Sequence, residues 1–421
     1  MVSGASGGGR IRSVRAYAAG GAGSGVDAGP DSGTAGPAPA AGADYHDQPA
    51  GHWIDDHIAT PMSIYPEYRA SRQSFGLNVL GTLVVELETD SGVTGFAVST
   101  GGDLGAWIVE RHLARFLEGA ELTGPEDIAL LWDQMYRSTL FYGRKGVVLN
   151  TISAVDLALW DLLGQLRRQP VHALLGGAVR DEQPMYATGA RPDLAQQLGF
   201  IGGKMPLHHG PAEGEAGMQQ NLDALADMRG RVGPDFSLMW DCWMSLDLPY
   251  ALALADGASR YGLRWLEEAL PPDDYNGYAR LRAASPESVQ ITTGEHEATR
   301  WGFQLLLEKR CADILQPDVG WCGGLTELLH VTKDADAAGV LVVPHGSSVY
   351  SYHYVMTQRS SPFAEFLMMA PGADRVVPMF DPLLLDEPVP RDGRIRIDQL
   401  DRPGFGVRLN PEVPLRRPYR H

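Results

Sequence analysis

The sequence of 421 residues predicts an α/β protein in which a barrel of parallel strands follows a smaller α+β domain. Short apolar runs between Gly199 and Glu365 are bounded by Gly, Pro or charge, as strands buried on both faces are. Each run ends in a polar residue. The ends at Asp241, Glu267 and Glu295 are separated by 26 and 28 residues, and those at Asp318 and His345 by 27, which leaves room for a strand, a helix and two loops. Before this stretch the patterns follow the order strand, strand, helix, helix, helix.

The first residues of the chain have little to bury. Residues 1–10 are rich in Gly and Ser and are expected to be disordered. The alternation from Ile11 to Ala18 favours a strand. Residues 19–43 consist mainly of Gly, Ala, Pro, Ser and Asp and predict a flexible insertion, with a moving lid as the alternative.

The segment after the insertion predicts regular structure. Two strands, Leu77 to Leu87 and Val93 to Val98, are expected on either side of the turn Asp90-Ser91-Gly92. Helical periods follow over residues 106–118, 125–137 and 150–167. The separate α+β domain is therefore expected over residues 11–150 and the barrel over residues 151–390. Residues 391–421 are expected to return to the first domain.

Composition excludes several classes of partner. The net charge of −17 argues against nucleic acid, because phosphate binding needs a basic surface. No apolar run approaches the ~20 residues needed to cross a bilayer, so no membrane span is expected. The N-terminus has no apolar stretch of the kind that a secretory signal needs. Cys242, Cys311 and Cys322 form no metal-ligand or paired pattern, which predicts a cytoplasmic protein with buried thiols.

The polar residues that end the apolar runs are expected to share one pocket. In a barrel of this kind the carboxyl ends of the strands converge on one face, where the active site lies. The candidates are Lys204, Asp241, Glu267, Glu295, Asp318, His345 and Glu365.

Asp241, Glu267 and Glu295 are candidate metal ligands. Three carboxylates at neighbouring strand ends would repel one another unless a cation lay among them. An all-oxygen set with few protein ligands suits Mg²⁺, which keeps positions for substrate oxygens. A single acid at a strand end is usually a helix cap or a surface charge, but three at regular spacing favour a metal site.

Asp318 and His345 are a candidate proton-transfer pair. A carboxylate that hydrogen-bonds an imidazole fixes its tautomer and raises its basicity, so His345 could act as a general base or acid. A lone His after a strand is more often structural. Lys204 would supply a cation on the other side of the pocket, although a surface lysine is the alternative. Glu365 could accept a hydrogen bond from a substrate hydroxyl or form a structural salt bridge.

Two candidates lie outside the barrel. His46 and Arg72 could reach over the mouth of the barrel, where the guanidinium could grip a carboxylate or hydroxyls. An exposed Arg is most often an ordinary surface residue.

With these parts, Mg²⁺ would stabilise the anion formed when a base removes the α-proton of a carboxylic acid. If the β-carbon carries a hydroxyl, water can then leave and a 2-keto-3-deoxy acid forms.

Several motifs carry a family resemblance that covers nearly the whole chain from Ile11. They are Tyr45-His-Asp-Gln48, His52-Trp-Ile-Asp-Asp-His-Ile-Ala-Thr-Pro-Met62, Ser71-Arg-Gln-Ser-Phe75, Gly199-Phe-Ile-Gly-Gly-Lys-Met-Pro206, Gln316-Pro-Asp-Val-Gly-Trp-Cys-Gly-Gly324 and Pro344-His-Gly-Ser-Ser-Val-Tyr350. In these motifs the sequence resembles the enolase superfamily, in its mandelate-racemase-like branch. The resemblance implies a modified TIM barrel, (β/α)7β, with an α+β capping domain.

The resemblance also implies roles for single residues. Asp241, Glu267 and Glu295 would bind one Mg²⁺ per subunit. Asp318 and His345 would form the catalytic dyad, with Glu365 closing the site at the last strand. The substrate contacts would include His46, Arg72 and His296, with Lys204 as the remaining lysine of a pair found in related racemases. A single His that serves as base and then as acid implies a syn elimination.

Four functional readings follow. The resemblance favours dehydration of a small acid sugar by a homo-oligomeric enzyme, with the stereoisomer open. A racemase would need a second base on the opposite face, and the sequence offers none. A catalytically silent barrel that binds sugar acids is disfavoured because Asp241, Glu267, Glu295, Asp318 and His345 are all present. A nicotinamide-dependent dehydrogenase is excluded because no helical pattern follows the Gly-rich stretch of residues 20–29.

Overall fold

A computed structural model describes residues 8–19, 51–69, 75 and 79–419 of the chain. The insertion was predicted at residues 19–43, but Ala19 ends the first strand. Residues 20–43 and the candidates His46 and Arg72 lie outside the described residues. Residues 9 and 10, which were expected to be disordered, belong to the first strand. The description below follows the chain from that strand.

The first domain is built on an antiparallel sheet with the strand order β3-β2-β1-β4. The strands are β1 (Gly9–Ala19), β2 (Thr82–Thr89), β3 (Thr94–Thr100) and β4 (Glu121–Leu122). The predicted turn over residues 90–92 joins β2 to β3. The helices of this domain are α1 (Gly102–Ile108), a π-helical turn (Val109–Leu113), α2 (Ala114–Leu117) and α3 (Pro125–Thr139).

The next helix, α4 (Val147–Arg167), lies between the sheet and the barrel. A Cβ added at Gly95 in β3 would come within 2.4 Å of the backbone nitrogen of Leu162, so only glycine allows this close approach. On the other side, Trp160 Nε1 donates to Thr326 Oγ1 at 3.0 Å. By length and composition α4 could cross a membrane, but 94% of its apolar stretch is buried inside the protein. It is therefore placed as a core helix.

The second domain contains eight parallel strands in the order β11-β10-β9-β8-β7-β6-β5-β12. They are β5 (Glu182–Thr188), β6 (Gly202–Pro206), β7 (Ser237–Asp241), β8 (Leu263–Glu267), β9 (Gln290–Thr293), β10 (Ile314–Leu315), β11 (Leu341–Val342) and β12 (Ala364–Leu367). Strand β5 was not among the predicted apolar runs, because a proline and two polar residues interrupt it. The fold is the predicted modified barrel with an α+β capping domain.

Helices alternate with these strands. They are α5 (Val171–Leu174), α6 (Pro192–Gln197), α7 (Gly214–Val232), α8 (Leu248–Ser259), α9 (Tyr275–Ala284), α10 (Thr299–Glu308), α11 (Gly324–Ala338) and α12 (Val349–Val355). Right-handed strand–helix–strand units of this kind place the carboxyl ends of all the strands at one face.

The end of the chain contacts both domains. The short strand β13 (Leu384–Leu385) pairs with β15 (Arg408–Leu409), whereas β14 (Arg394–Arg396) pairs antiparallel with β5 of the barrel. Further on, Ala18 and Arg416 form an antiparallel bridge, and Arg417 Nε contacts Glu110 Oε1 at 2.6 Å. The predicted return to the capping domain thus involves the last described residues, and the preceding ones lie on the barrel.

An aromatic layer fills the barrel beneath its mouth. The Tyr186 and Trp265 rings meet edge to face with centroids 5.2 Å apart, and Trp265 stacks on Phe363 at 6.1 Å. Met239, Ile314 and Val343 complete this buried group. Large side chains at alternate positions of the strands form a solid floor, on which the polar residues of the next layer rest.

The contact between Gly95 and α4 can be tested by substitution. We expect Gly95→Ala to destabilise the protein by about 1–3 kcal/mol, because the added methyl group overlaps the backbone of Leu162. Gly230→Ala is the control, since Gly230 lies in α7 with nothing within 4 Å of an added Cβ, and alanine favours the helix there. The urea concentration at the unfolding midpoint should be highest for Gly230→Ala, intermediate for wild type and lowest for Gly95→Ala. Equal midpoints for wild type and Gly95→Ala would contradict the close packing of Gly95 on α4.

Candidate active site

The sequence candidates that the structure describes meet at the mouth of the barrel. Asp241 and Glu267 are the last residues of β7 and β8 and lie beside each other in register. Glu295, Asp318 and His345 follow β9, β10 and β11 by two or three residues, and all three line one cavity with Asp241. The alternation of strand and helix brings these residues together from five different strands.

The three carboxylates form a compact cluster. Asp241, Glu267 and Glu295 each offer an oxygen, and these oxygens lie within 4.8 Å of one another. Burial raises the pKa of each, and for Glu267 burial and the neighbouring carboxylates raise it to about 8 although Lys204 opposes the shift. Gln316 Nε2 holds Glu267 Oε2 at 2.6 Å and Trp265 Nε1 lies 3.3 Å from the same oxygen.

Lys204 lies inside the carboxylate cluster and not at the pocket surface. Its side chain is fully buried, and its ammonium group contacts Glu267, Glu365 Oε1 at 2.8 Å and Asp241 Oδ2 at 3.4 Å. Burial alone would lower the pKa of Lys204, but the carboxylates outweigh it and hold the pKa well above its usual value. Lys204 thus places a positive charge in contact with three carboxylates.

Glu365 on β12 closes the opposite side of this network. Its oxygens accept hydrogen bonds from Thr188 Oγ1, the last residue of β5, and from the backbone nitrogen of Gly346 at 2.8 Å. Burial would raise the pKa of Glu365, but Lys204 and His345 lower it to about 2. Glu365 is therefore ionised, and it links the last strand of the barrel to the first.

The predicted dyad is present. His345 Nδ1 lies 2.6 Å from Asp318 Oδ2, and the other oxygen of Asp318 accepts from the backbone nitrogen of Gly320 at 2.6 Å. His345 Nε2 points to the carboxylate cluster and lies 3.6 Å from Glu295 Oε1. Burial would lower the pKa of His345, but Glu295, Glu365 and Asp318 raise it well above its ordinary value.

A second pair of imidazole and carboxylate lies beside the first. His296 Nδ1 is 3.1 Å from Glu268 Oε2, and its Nε2 is 3.9 Å from Glu295 Oε1. Glu268 is buried, and Thr293 Oγ1 and the Gly294 nitrogen donate to its other oxygen. Burial would lower the pKa of His296, but Glu295 and Glu268 raise it to about 9. Sequence reasoning selected His296 and missed Glu268.

The capping domain completes the cavity. Trp321 lies between the two imidazoles, with centroids 5.7 Å from His345 and 5.6 Å from His296. Its Nε1 donates to Thr100 Oγ1 at 3.3 Å, and Ser99 Oγ donates to the Gly320 carbonyl at 2.8 Å. The end of β3 therefore holds the loop that carries Asp318. Apolar side chains from both domains form the outer wall, among them Trp53, Ile54, Phe75, Met369 and Phe380.

The charge balance of the cluster fits a divalent cation. Lys204 contacts Asp241, Glu267 and Glu365, and Glu295 lies beside them, so the ionised cluster would carry more negative charge than one lysine can balance. Oxygen donors alone are the set that Mg²⁺ prefers, and the cavity beside Glu295 leaves room for further oxygen ligands. The three predicted metal ligands therefore fit the ion that the sequence analysis expected.

Comparison with known proteins agrees with this architecture. Residues 191–413 match the family described as enolase C-terminal domain-like, and residues 72–176 match the N-terminal domain of mandelate racemase / muconate lactonizing enzyme. The chain therefore belongs to the enolase superfamily, in its mandelate-racemase-like branch, as the sequence motifs predicted. This is a superfamily of enzymes.

Two solved structures from Gibberella zeae are similar over nearly the whole chain. A rhamnonate dehydratase from Gibberella zeae complexed with Mg is 44% identical with a TM-score of 0.88, over 96% of this chain and 95% of that one. An L-rhamnonate dehydratase from the same organism is 43% identical with a TM-score of 0.86 and the same coverage. The 3,6-anhydro-D-galactonate cycloisomerase from Zobellia galactanivorans is 26% identical with a TM-score of 0.71, over 95% of this chain and 97% of that one.

The role of Lys204 in balancing the cluster can be measured as stability. We expect Lys204→Met to destabilise the protein by about 3–5 kcal/mol in EDTA, because it leaves buried carboxylates without their cation. Lys309→Met, at an exposed lysine that contacts Asn276, should change stability by less than about 0.5 kcal/mol. Urea unfolding monitored by circular dichroism provides the comparison.

The stability that Lys204 contributes should depend on pH. The lowered pKa of Glu365 contributes stability that is present at neutral pH and is lost as the pH falls towards about 2. Lys204→Met removes that contribution. The difference between variant and wild type should therefore narrow as the pH falls below about 4, and a difference independent of pH would contradict the assignment.

Proposed function

We propose that this enzyme is a Mg²⁺-dependent hydro-lyase, a carbon–oxygen lyase that converts L-rhamnonate to 2-keto-3-deoxy-L-rhamnonate and water. The observation that carries the proposal is the position of His345 Nε2, which lies 3.6 Å from Glu295 of the carboxylate cluster while Nδ1 is held by Asp318. The identity of 44% to a rhamnonate dehydratase over 96% of the chain supports the choice of substrate.

Proton transfer would be carried out by His345. Asp318 fixes the tautomer through Nδ1, so that Nε2 faces the cavity and can remove the α-proton of the acid. Asp241, Glu267 and Glu295 would hold a Mg²⁺, whose positive charge would stabilise the substrate carboxylate as the proton leaves and would offset Glu295 beside the imidazole. His345 then returns the proton to the hydroxyl on the β-carbon.

The second half of the reaction breaks the bond between the β-carbon and oxygen. The electron pair left at the α-carbon forms the double bond, the protonated hydroxyl leaves as water, and the resulting enol rearranges to the 2-keto acid. Because one imidazole handles both groups, proton and hydroxyl leave from the same face, which makes the elimination syn. Asp318 stabilises the imidazolium between the two steps.

The remaining residues would bind the substrate and balance charge. His296, held by Glu268, faces the cavity and can donate to an oxygen of the acid sugar. Lys204 and Glu365 would act from beneath, by fixing the charge and orientation of the carboxylate cluster. His46 and Arg72 stay predicted contacts from the capping domain, and the homo-oligomer stays a prediction.

The function is tested with a panel of acid sugars. The purified protein is incubated with Mg²⁺ and L-rhamnonate, L-lyxonate or L-mannonate, and the 2-keto product is trapped with semicarbazide. We expect L-rhamnonate to turn over fastest, and EDTA to remove the activity. Turnover of another stereoisomer alone would keep the reaction and overturn the substrate. Metal binding without turnover of any acid would favour a silent sugar-acid-binding barrel.

One observation favours racemisation as the second candidate. The pair formed by His296 and Glu268 supplies a second imidazole at the site, whereas the sequence analysis named His296 only as a substrate contact and did not find Glu268. If His296 and His345 faced opposite sides of a bound acid, the two bases could exchange the α-proton between faces. Incubation in D₂O distinguishes the reactions, because a racemase would produce the deuterated epimer of the acid whereas the dehydratase produces a 2-keto acid.

The role of His345 gives a further prediction. We expect His345→Asn to lower kcat by about 10²–10⁴-fold, because the amide cannot accept the α-proton. Mg²⁺ binding, measured by calorimetry, should remain within about threefold of wild type, because His345 is not among the ligands. His330→Asn, at a histidine on α11 outside the site, is the matched control. Turnover of His345→Asn at the wild-type rate would rule out the mechanism.

A further inference from the structure

A second group of potential metal ligands lies away from the carboxylate cluster, where the capping domain meets the barrel. It consists of His57, His209 and Glu213, each of which offers one ligand atom, and these atoms lie within 4.8 Å of one another. Glu213 Oε1 is 3.4 Å from His57 Nε2 and 2.8 Å from His209 Nδ1. The three side chains are partly buried, with exposures of 34%, 21% and 19%.

The two barrel ligands are held by their backbone. The carbonyl of His209 accepts from Asn221 Nδ2 at 2.8 Å, and its nitrogen donates to Asn221 Oδ1 at 3.1 Å. Glu213 ends a 3-10 turn (Pro211–Glu213), and its Oε2 accepts from the Gly210 nitrogen at 3.1 Å, which leaves Oε1 facing the histidines. A Cβ at Gly217 would lie 2.7 Å from Glu213 and 3.0 Å from His209, so glycine allows both side chains to converge.

The third ligand comes from the capping domain. His57 precedes Ile58 and Ala59, which are buried, and the Ala59 nitrogen donates to the Leu207 carbonyl at 2.9 Å. The carbonyl of His57 lies 2.5 Å from His208 Nδ1. Although His57 is partly exposed as a residue, its Nε2 is inaccessible and makes no hydrogen bond within the part of the chain that the structure describes. A buried nitrogen aimed at a carboxylate without bonding it suits a metal ligand.

The donor types select a class of cation. Imidazole nitrogens with one carboxylate are a ligand set of Zn²⁺, whereas Mg²⁺ prefers oxygen donors alone. With bonds of about 2.1 Å, tetrahedral ligands lie about 3.4 Å apart. His57 and Glu213 have that separation, whereas Glu213 and His209, at 2.8 Å, would move apart on binding the cation. We propose that His57, His209 and Glu213 bind a transition-metal cation such as Zn²⁺, separately from the carboxylate cluster.

Binding at this site would join the two domains beside the cavity. His57 belongs to residues 51–69, and the same segment supplies Trp53 and Ile54 to the wall of the cavity. His209 and Glu213 lie in the connection after β6, at the mouth of the barrel. A cation there would fix the wall relative to the barrel. The proposal is independent of the reaction that the carboxylate cluster performs.

The test measures Zn²⁺ binding while Mg²⁺ is saturating. The full-length protein is titrated with Zn²⁺ against a chromophoric chelator, and the same titration is made with His57→Ala, His209→Ala and Glu213→Gln. We expect one Zn²⁺ per chain, with affinity at least about tenfold lower in each variant. His112→Ala removes an exposed histidine that contacts Tyr142, and it should bind as wild type does. Binding of equal strength in His209→Ala would overturn the proposal.

Two further readouts separate this site from the other one. Co²⁺ bound to two imidazoles and a carboxylate should give visible absorption that is lost in His57→Ala and kept in Glu295→Gln. Zn²⁺ should raise the Tm of wild type and not that of Glu213→Gln, which keeps an oxygen acceptor for Gly210 and preserves the turn if the alanine variants unfold. Zn²⁺ binding that excess Mg²⁺ removes, or no binding at all, would show that the three residues form only a hydrogen-bonded cluster.

Discussion

The structure depends on a concentration of buried negative charge that is only partly balanced from within the chain. Lys204 reaches Asp241, Glu267 and Glu365 from the centre of the barrel mouth and is completely withdrawn from solvent. Buried ions of this kind are costly unless each has partners, and Gln316 supplies one of the compensating hydrogen bonds. The register of the barrel strands therefore also fixes the positions of these charged groups. The negative charge that Lys204 does not balance favours binding of a cation by the cluster.

The capping domain contributes order to the same site from above. Its strand β3 ends at hydroxyl groups that hold Gly320 and Trp321, and these residues lie within the loop between Asp318 and α11. The orientation of the dyad thus depends on a sheet distant in sequence. The first domain contacts the loop of Asp318 through these two hydrogen bonds, and its apolar residues form part of the cavity wall.

Much of the site was predictable because its residues follow the regular alternation of strand and helix along the chain. Asp241, Glu267 and His345 follow apolar runs at regular spacing, and convergence of strand ends then brings them together. The position of Lys204 within the cluster was not predictable, because a buried lysine and a surface lysine at the end of a strand look the same in the sequence. Glu268 was missed because it has a positive φ of 46°, which turns it from the strand direction towards His296. His57 and His209 lie in loops, and loop residues have no repeating spacing from which their contact could be predicted.

The position of α4 affects how the protein could be divided. Asp161 accepts hydrogen bonds from the Phe96 nitrogen of the sheet at 3.0 Å and from the Phe405 nitrogen near the end of the chain at 2.9 Å. Apolar residues of both domains form one continuous core around this helix. A fragment that begins at residue 191, where the barrel family match starts, would expose the face of α11 that α4 covers. A chimera of two relatives therefore cannot exchange the barrel alone. A chimera that exchanges the antiparallel sheet would have to include α4 from the same parent.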